Sequence, residues 1–219
     1  MLSYRLQEVA KFIDKGKVVY DVGSDHALLP CFLVQEKICD KVYACDNKEG
    51  PLNKAKENIH KYHLEDKIIP ILSNGIEDIK DDVNIITICG MGFYTVKNIL
   101  ENKDLSKYDK IIIQINKNVA ELRKWISDSM YTIISESIVY EDDKFYEIVV
   151  FNAKRTRPLD EMEIEYGPYL LNSSSSIFKK YLEYKRNKYK NIQEKAHTFT
   201  YEKQIKEIDD IIGKIFGGK

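Results

Sequence analysis

The segment from residue 17 to residue 30 combines a hydrophobic run with the kinds of side chain that do chemistry. It reads KVVYDVGSDHALLP, so the run ends at Asp21 and Gly23, and a new apolar periodicity begins at Ala27. This pattern predicts a buried strand that leads into the N-terminus of a helix. In an open α/β sheet, that junction is where a nucleotide-like ligand binds.

The same turn lacks most of a dinucleotide-binding fingerprint. A G-x-G-x-x-G motif needs three glycines, whereas Gly23 is the only glycine here and is followed by Ser24, Asp25, His26 and Ala27. An acid at this place repels phosphate and attracts a cation. The turn therefore favours a cofactor that carries positive charge and no phosphate, as S-adenosylmethionine does and NAD does not.

Five residues of this turn are candidate cofactor contacts: Asp21, Gly23, Ser24, Asp25 and His26. A buried carboxylate without a partner is costly, so we expect Asp25 to face a ligand, water or His26. Two alternatives need no cofactor. Asp21 and Gly23 could end the strand in an ordinary turn, and His26 could form a local hydrogen bond or cap.

Polar residues and glycines follow the next three predicted strands as well. Asp46, beside Asn47, ends the second strand, where an acid accepts the hydroxyls of an adenosine ribose or simply caps a helix. Ser73-Asn74-Gly75 follows the third strand, where an amide side chain meets an adenine edge or belongs to a common turn. Gly90-Met91-Gly92 follows the fourth, and its glycines permit close backbone approach to cofactor and substrate.

The elements that must position these residues alternate along the chain. Parallel strands are predicted over Lys17–Val22, Lys41–Cys45, Lys67–Leu72, Val83–Cys89 and Asp109–Gln114. Helices are predicted near Ala27–Glu36, Pro51–Tyr62, Thr95–Glu101 and Val119–Met130. The runs Thr132–Glu141 and Phe145–Asn152 predict an antiparallel hairpin at one sheet edge. An α/β fold of this order is typical of the class I (Rossmann-like) methyltransferase sheet.

The composition changes after Asn152. Residues 154–158 (KRTRP) are typical of a basic linker, and two amphipathic helices joined near His197–Tyr201 are predicted to form an antiparallel hairpin. We therefore expect one domain over residues 1–155 and a helical domain over residues 156–219. The first of these helices carries lysines between tyrosines, which form either a solvated face or a surface for the phosphates of a polyanion.

Composition narrows the class of protein. The chain has 219 residues, a net charge of −1 and 43% hydrophobic residues, which suits one α/β domain with a small appendage. The four cysteines include no C-x-x-C pair, so we expect buried free thiols and no metal site. Neither a secretory signal nor an apolar run long enough for a bilayer is evident, so we expect a cytoplasmic protein without a membrane partner.

Several motifs together resemble the TrmK family of bacterial tRNA methyltransferases, which modify N1 of adenine 22. They are, in matching order, Arg5-Leu6 with Val9-Ala10, DVGSDHA at residues 21–27 with Leu29-Pro30, Gly50-Pro51, Gly90-Met91-Gly92, Gln114 with Asn116, Arg123 with Trp125, and Tyr146-Glu147. The likeness is close over residues 3–152. The C-terminal part resembles the family's two-helix coiled-coil domain in pattern only.

The resemblance implies that S-adenosylmethionine is the cofactor, tRNA the partner, and the D-arm region the place of methylation. It implies that Asp25 contributes charge or orientation, or only binds the cofactor, while Met91 and Asn116 hold the base. The implied RNA contacts are Arg5, Arg123, Lys179, Lys180, Lys185 and Arg186. No oligomeric partner is implied, so a monomer is favoured.

Four positions depart from the family pattern. The family has glutamate at the position of Asp46, aspartate at Asn74, glycine at Phe93 and proline at Ile115. Two other functions stay open on the sequence. One is a methyltransferase of a small molecule or protein, and the other is a non-catalytic RNA-binding protein with the same fold.

Overall fold

The computed structural model describes residues 2–197 and 199–217. Its sheet contains the strands β1 (Val19–Val22), β2 (Val42–Asp46), β3 (Ile68–Leu72), β4 (Ile85–Gly92), β5 (Lys110–Lys117), β6 (Thr132–Glu141) and β7 (Lys144–Asn152). The strand order is β3-β2-β1-β4-β5-β7-β6. Strands β1 to β5 are parallel, and β7 runs antiparallel to both β5 and β6. The predicted parallel sheet and its edge hairpin are confirmed.

Helices cover both faces of the sheet, as the long apolar strands require. They are α1 (Tyr4–Lys11), α2 (Leu28–Gln35), α3 (Glu49–Lys61), α4 (Phe93–Leu100), α5 (Val119–Asp128), α6 (Glu161–Tyr166), α7 (Ser176–Ala196) and α8 (Glu202–Phe216). One core cluster joins the sheet to α1, α2 and α3, and the other joins it to α4 and α5. The chain order reverses between β1 and β4, which places a ligand-binding crevice at their carboxyl ends.

The fourth and fifth strands extend beyond their predicted ends. The sequence indicates a loop at Gly90, but β4 continues to Gly92 with a register shift between Cys89 and Met91. Gly90 has a φ of +77°, a left-handed value that glycine adopts without strain. The irregularity keeps the segment beside β5 while turning its backbone toward the crevice.

The predicted pair of C-terminal helices is confirmed as antiparallel. Lys179 of α7 lies over the ring of Phe216, and Arg186, further along α7, is hydrogen bonded to Asp209. The partners on α8 therefore follow in the order opposite to that of the residues on α7. These helices share a core cluster with Ile138 of β6, against which Phe145 packs. A coiled-coil domain that begins at residue 156 stays a prediction.

Sequence reasoning missed α6. Its N-cap is Asp160, whose carboxylate accepts the N–H of Glu163, while the Glu163 side chain accepts the N–H of Asp160. This capping box is visible in the sequence as an acid followed three residues later by glutamate. The signal lay next to the predicted basic linker, and Arg157 of that linker pairs with Glu163.

A buried ion cluster joins the C-terminal segment to the sheet. Arg123 of α5 is fully buried and pairs at 2.7 Å with Glu136 of β6 and with Glu147 of β7. Glu136 also accepts the backbone N–H of Tyr169, and the hydroxyl of Tyr181 donates to Glu147. The prediction that Arg123 contacts RNA is therefore wrong, because its guanidinium is enclosed and already paired with two carboxylates.

Two compositional expectations bear on the described residues. All four cysteines are free thiols, three of them buried and Cys89 partly exposed, as predicted. Across residues 2–197 and 199–217, no helix combines the length and hydrophobicity that crossing a bilayer requires.

Replacement of Arg123 should destabilise the fold strongly. Arg123→Met keeps much of the side-chain volume but leaves two buried carboxylates without their cation, which costs about 3–5 kcal/mol. The matched control is Lys124→Met on the same helix, since Lys124 pairs with Asp128 at the surface and should contribute less than about 1 kcal/mol. Urea unfolding measures both, and equal midpoints for the two variants would contradict the structural role of Arg123.

Candidate active site

The turn after β1 begins with a glycine in a left-handed conformation, in close contact with Met91. The N–H groups of Gly23 and Ser24 both donate to the carbonyl of Cys45, each at 2.9 Å. Gly23 has a φ of +70°, and a Cβ there would lie 2.3 Å from Cε of Met91. The left-handed φ favours glycine at this position, and the close contact shows that β1, β2 and the Met91 side chain meet at one point.

The next three residues adopt left-handed conformations without being glycine. The φ angles of Asp25, His26 and Ala27 are +29°, +63° and +54°. Such values cost about 1–2 kcal/mol per residue, and they persist where surrounding contacts hold them. Asn58 of α3 supplies one such contact, because its Nδ2 donates to the His26 carbonyl at 2.9 Å. Helix α2 therefore begins at Leu28 rather than at the predicted Ala27.

The buried acid of the turn is Asp21 rather than Asp25. The Asp25 side chain is 80% exposed and lies 3.4 Å from His26, so it faces water and His26, which are two of the three surroundings expected from the sequence. Asp21 is buried at the end of β1 and accepts the hydroxyl of Thr87 at 2.6 Å. Burial raises the pKa of Asp21 from 3.8 to about 6. No cation pairs with it among the described residues.

A cavity of about 320 Å³ opens at the carboxyl ends of β1, β2 and β3. Seven predicted cofactor residues line it: Gly23, Asp46, Asn47, Ser73, Asn74, Gly75 and Met91. Asp46 accepts the N–H of Lys48 at 3.0 Å, which holds its carboxylate at the cavity. Gly75 has a φ of +65°, and a Cβ there would meet the side chain of Ile99. The carboxylate of Asp46, the amide of Asn74 and the exposed backbone at Gly75 together suit the ribose and base of a nucleoside.

A second cavity of about 320 Å³ lies on the other side of Gly23 and Met91. The predicted residues Asp21, Ser24, Asp25, Gly90 and Asn116 line it, together with Arg5. The two cavities share Gly23 and Met91. His26 and Gly92 stand beside these cavities rather than in their walls, and Gly92 is the N-cap of α4.

A hydrogen-bond network fixes the polar wall of the second cavity. The Oε1 of Gln114 accepts from Nη1 of Arg5 at 2.6 Å and from the N–H of Gly90 at 3.1 Å. Asn116 donates to the carbonyl of Gly90 at 2.7 Å. The Arg5 guanidinium also lies 5.6 Å from the ring centroid of Tyr146. Arg5 is thus held inside the crevice rather than on an outer phosphate-binding surface.

The other four predicted RNA contacts have partners within the chain. Lys180 lies 3.4 Å from the centroid of the Tyr140 ring, and Lys179 lies over Phe216. Lys185 pairs with Glu165, and Arg186 pairs with Asp209. Contact of these four residues with RNA stays a prediction.

Several residues of the site escaped the sequence analysis. Thr95, Asn98 and Ile99 of α4 line the first cavity. Their helix begins at Phe93, two residues before its predicted start. The available signal was a pair of polar residues, Thr95 and Asn98, spaced to share one face of an apolar helix. Thr87 and Asn58 gave no comparable signal, because a lone polar residue in a strand or helix is common.

Sequence comparison with known proteins assigns the chain to one family. Residues 19–216 match the family profile TrmK, described as tRNA (adenine(22)-N(1))-methyltransferase. The chain belongs to the TrmK family. A Bacillus subtilis tRNA (adenine(22)-N(1))-methyltransferase is 34% identical over 221 aligned residues, which cover 95% of this chain and 93% of that protein.

Solved structures related to the TrmK family agree with this fold and confirm its Rossmann-like methyltransferase class. A Streptococcus pneumoniae protein in complex with S-adenosyl-L-methionine is 33% identical, with a TM-score of 0.87 over 96% of this chain and 99% of the other. TrmK of M. capricolum in complex with S-adenosyl-homocysteine is 36% identical, with a TM-score of 0.79 over 98% and 96%.

The raised pKa of Asp21 makes a prediction about stability and pH. A carboxyl whose pKa is higher in the folded state stabilises the fold below its unfolded value of 3.8, and this contribution is lost as the pH rises through about 6. Asp21→Asn should therefore stabilise the cofactor-free protein at pH 8 by about 1–3 kcal/mol. At pH 4 the gain should be small, because Asp21 is then protonated in the wild type. Urea unfolding at both pH values is the measurement, and a variant less stable than wild type at pH 8 would refute the burial cost.

Loss of the Asn58 hydrogen bond should loosen the left-handed turn and weaken cofactor binding. In Asn58→Ala, we expect roughly 5- to 30-fold weaker binding of S-adenosylmethionine by calorimetry, equivalent to about 1–2 kcal/mol for one hydrogen bond to a strained segment. The matched control is Asn53→Ala, an exposed asparagine of the same helix. Equal affinities for the two variants would show that Asn58 does not position the turn.

Proposed function

We propose that this protein transfers a methyl group from S-adenosylmethionine to N1 of adenine 22 in tRNA. The observation that carries the proposal is the meeting of two cavities at Gly23 and Met91, at the carboxyl ends of β1 and β4, in a member of the TrmK family. One cavity suits a nucleoside cofactor and the other suits a base. A small-molecule or protein methyltransferase and a non-catalytic RNA-binding protein are both disfavoured by this family membership.

The first cavity supplies the groups that would hold the cofactor. Asp46 accepts the ribose hydroxyls, and the turn of Ser73, Asn74 and Gly75 borders the adenine. Beyond the shared Gly23 and Met91, Asp21 of the second cavity offers a buried carboxylate to the ammonium group of the methionine part, which gives this acid the cation that the chain itself does not provide. When bound, S-adenosylmethionine supplies an electrophilic methyl group on a positively charged sulfur.

The second cavity has to orient a base rather than activate it. Adenine N1 carries a lone pair, so no side chain has to remove a proton from it before transfer. Asn116 and the backbone of Gly90 form a fixed wall for the base, since Gln114 accepts the N–H of Gly90 and Asn116 donates to its carbonyl. Arg5 in turn donates to Gln114, and the Met91 side chain adjoins this wall. Orientation against a fixed wall is the main contribution of such a site.

Methylation leaves a positive charge on the adenine, and carboxylates near the crevice stabilise it. Asp21 is already paired with the ammonium group of the cofactor, so Asp25, the other acid in the wall of the second cavity, is the candidate for this effect. Its effect is reduced because water screens the charge of this exposed side chain. A role for Asp25 in orientation stays within the proposal. The proposal further includes action as a monomer in the cytoplasm, without a metal ion.

The decisive experiment is methylation of unmodified tRNA transcripts by the purified protein, with N1-methyladenine mapped by reverse-transcription stops. We expect one stop at adenine 22. Asp46→Ala should raise the KM for S-adenosylmethionine at least 10-fold, as expected for lost hydrogen bonds to a ribose. Asp66→Ala, an exposed acid remote from the cavity walls, is the matched control.

Two results would overturn the proposal. A reproducible stop at another nucleotide, or no stop with tRNA from any isoacceptor, would refute the assignment to adenine 22. Equal KM values for the Asp46 and Asp66 variants would refute the cofactor cavity.

A further inference from the structure

A continuous groove leads from the second cavity of the active site along α7. The second cavity shares Asn116 with a groove of about 600 Å³ that lies between the ends of β5 and β7 and helix α7. That groove in turn shares Tyr184 and Lys188 with a shallow depression of about 350 Å³ that reaches Lys195. We call this continuous surface, from Asn116 to Lys195, the α7 track.

One face of α7 forms the helical side of the track. Tyr181, Tyr184, Lys188, Asn191 and Lys195 line it, and they follow one another at intervals of three or four residues. Residues with this spacing lie on the same side of a helix. The face is therefore a single stripe that begins beside the active site and runs away from it.

Aromatic rings lie at the end of the track that is nearer to the active site. Phe145, Tyr146 and Tyr184 contribute to its walls. The Tyr184 ring packs against Phe145 with centroids 5.5 Å apart, yet 54% of Tyr184 is exposed. A ring that is supported from one side and open on the other can stack on a planar ligand.

Lysines without ion-pair partners accompany these rings. Lys117, Lys144 and Lys188 line the groove, all three are exposed, and none forms an ion pair within the described part of the chain. Of the two acids in the same walls, Glu147 pairs with Arg123, whereas Asp143 accepts the hydroxyl of Tyr140 and keeps its negative charge. Three lysines without ion-pair partners thus accompany one carboxylate without a cation. The free charge of the track is therefore positive.

This arrangement contrasts with the lysines that the sequence singled out. Lys180 covers Tyr140 and Lys185 pairs with Glu165, so both are engaged within the fold. Lys188 and Lys195 have no such partner in the structure that residues 2–197 and 199–217 form. Cations that are free to meet phosphates thus lie on the face of α7 that adjoins the active site.

We propose that the α7 track binds the unpaired nucleotides of tRNA that adjoin the methylated adenine. Tyr184 stacks on one base, and Lys188 and Lys195 contact the phosphates of the strand that leads away from the active site. A positive groove combined with exposed aromatic rings is the way in which proteins hold single-stranded nucleic acid. This inference rests on the proposed function and specifies which surface selects the substrate.

Kinetics of tRNA methylation test the track. Tyr184→Ala should raise the KM for tRNA about 5- to 150-fold, since stacking of one base contributes about 1–3 kcal/mol. Tyr184→Phe, which keeps the ring, should remain within about twofold of wild type. Calorimetry should show unchanged affinity for S-adenosylmethionine in both variants, which also verifies that they are folded.

Salt dependence tests the phosphate contacts. In anisotropy titrations with tRNA, Lys188→Ala combined with Lys195→Ala should lower the slope of log Kd against log salt by about 1.4–1.8, because each lost phosphate contact removes about 0.7–0.9. The matched control is Lys190→Ala, an exposed lysine of the same helix that does not line the track. It should leave the slope within error of wild type.

The outcomes separate this inference from the proposed function. If the wild type methylates adenine 22 but the Tyr184→Ala variant and the double lysine variant match the Lys190 control, the track is refuted while the proposed function stands. If the wild type binds tRNA without methylating it, and the variants still lose binding, the track stands while the proposed function fails.

Discussion

The contact between Gly23 and Met91 is the constraint on which the site depends. A Cβ at position 23 would lie 2.3 Å from Cε of Met91. The backbone at the end of β1 and this side chain from the end of β4 therefore form the wall that the two cavities of the site share. The cavity on one side of this wall has polar groups that suit a nucleoside, and the cavity on the other side is lined by Arg5 and Asn116. A methyl group has to cross between two such compartments, and a thin wall with no side chain at Gly23 permits close approach of the reacting atoms.

Two buried charged residues of this fold, Arg123 and Asp21, differ in whether they have a partner of opposite charge. Arg123 is enclosed with two carboxylates, so its burial is compensated and its role is structural. Asp21 is enclosed with a hydroxyl and no cation, and burial raises its pKa to about 6. A buried charge without a partner lowers the stability of the free protein, and a ligand of opposite charge restores that stability on binding. Whether a buried charge has a partner therefore indicates its function better than burial alone.

The sequence was sufficient for the sheet because its strands are short, apolar runs between helical periodicities, and such patterns are local. The sequence also predicted most residues of the first cavity, since the carboxyl ends of parallel strands meet at one edge of the sheet. It failed where long-range packing decides. Arg123 looked like an RNA contact because an arginine on an amphipathic helix gives no sign of Glu136 or Glu147 above it. The sequence also left open whether Asp25 faces a ligand, water or His26, because nothing local reveals the left-handed turn that exposes it.

The same ion cluster gives the α7 track a defined place relative to the active site. Glu147 lies opposite Ile115 in the sheet, one residue from Asn116, and it accepts hydrogen bonds from both Arg123 and Tyr181. Tyr181 is one helical turn before Tyr184, so α7 is fixed to the sheet at the point where the track begins. A substrate that places one base in the crevice and another on Tyr184 has to match a set spacing. The buried charges thus fix the distance between the two proposed binding positions, the crevice at Asn116 and the ring of Tyr184.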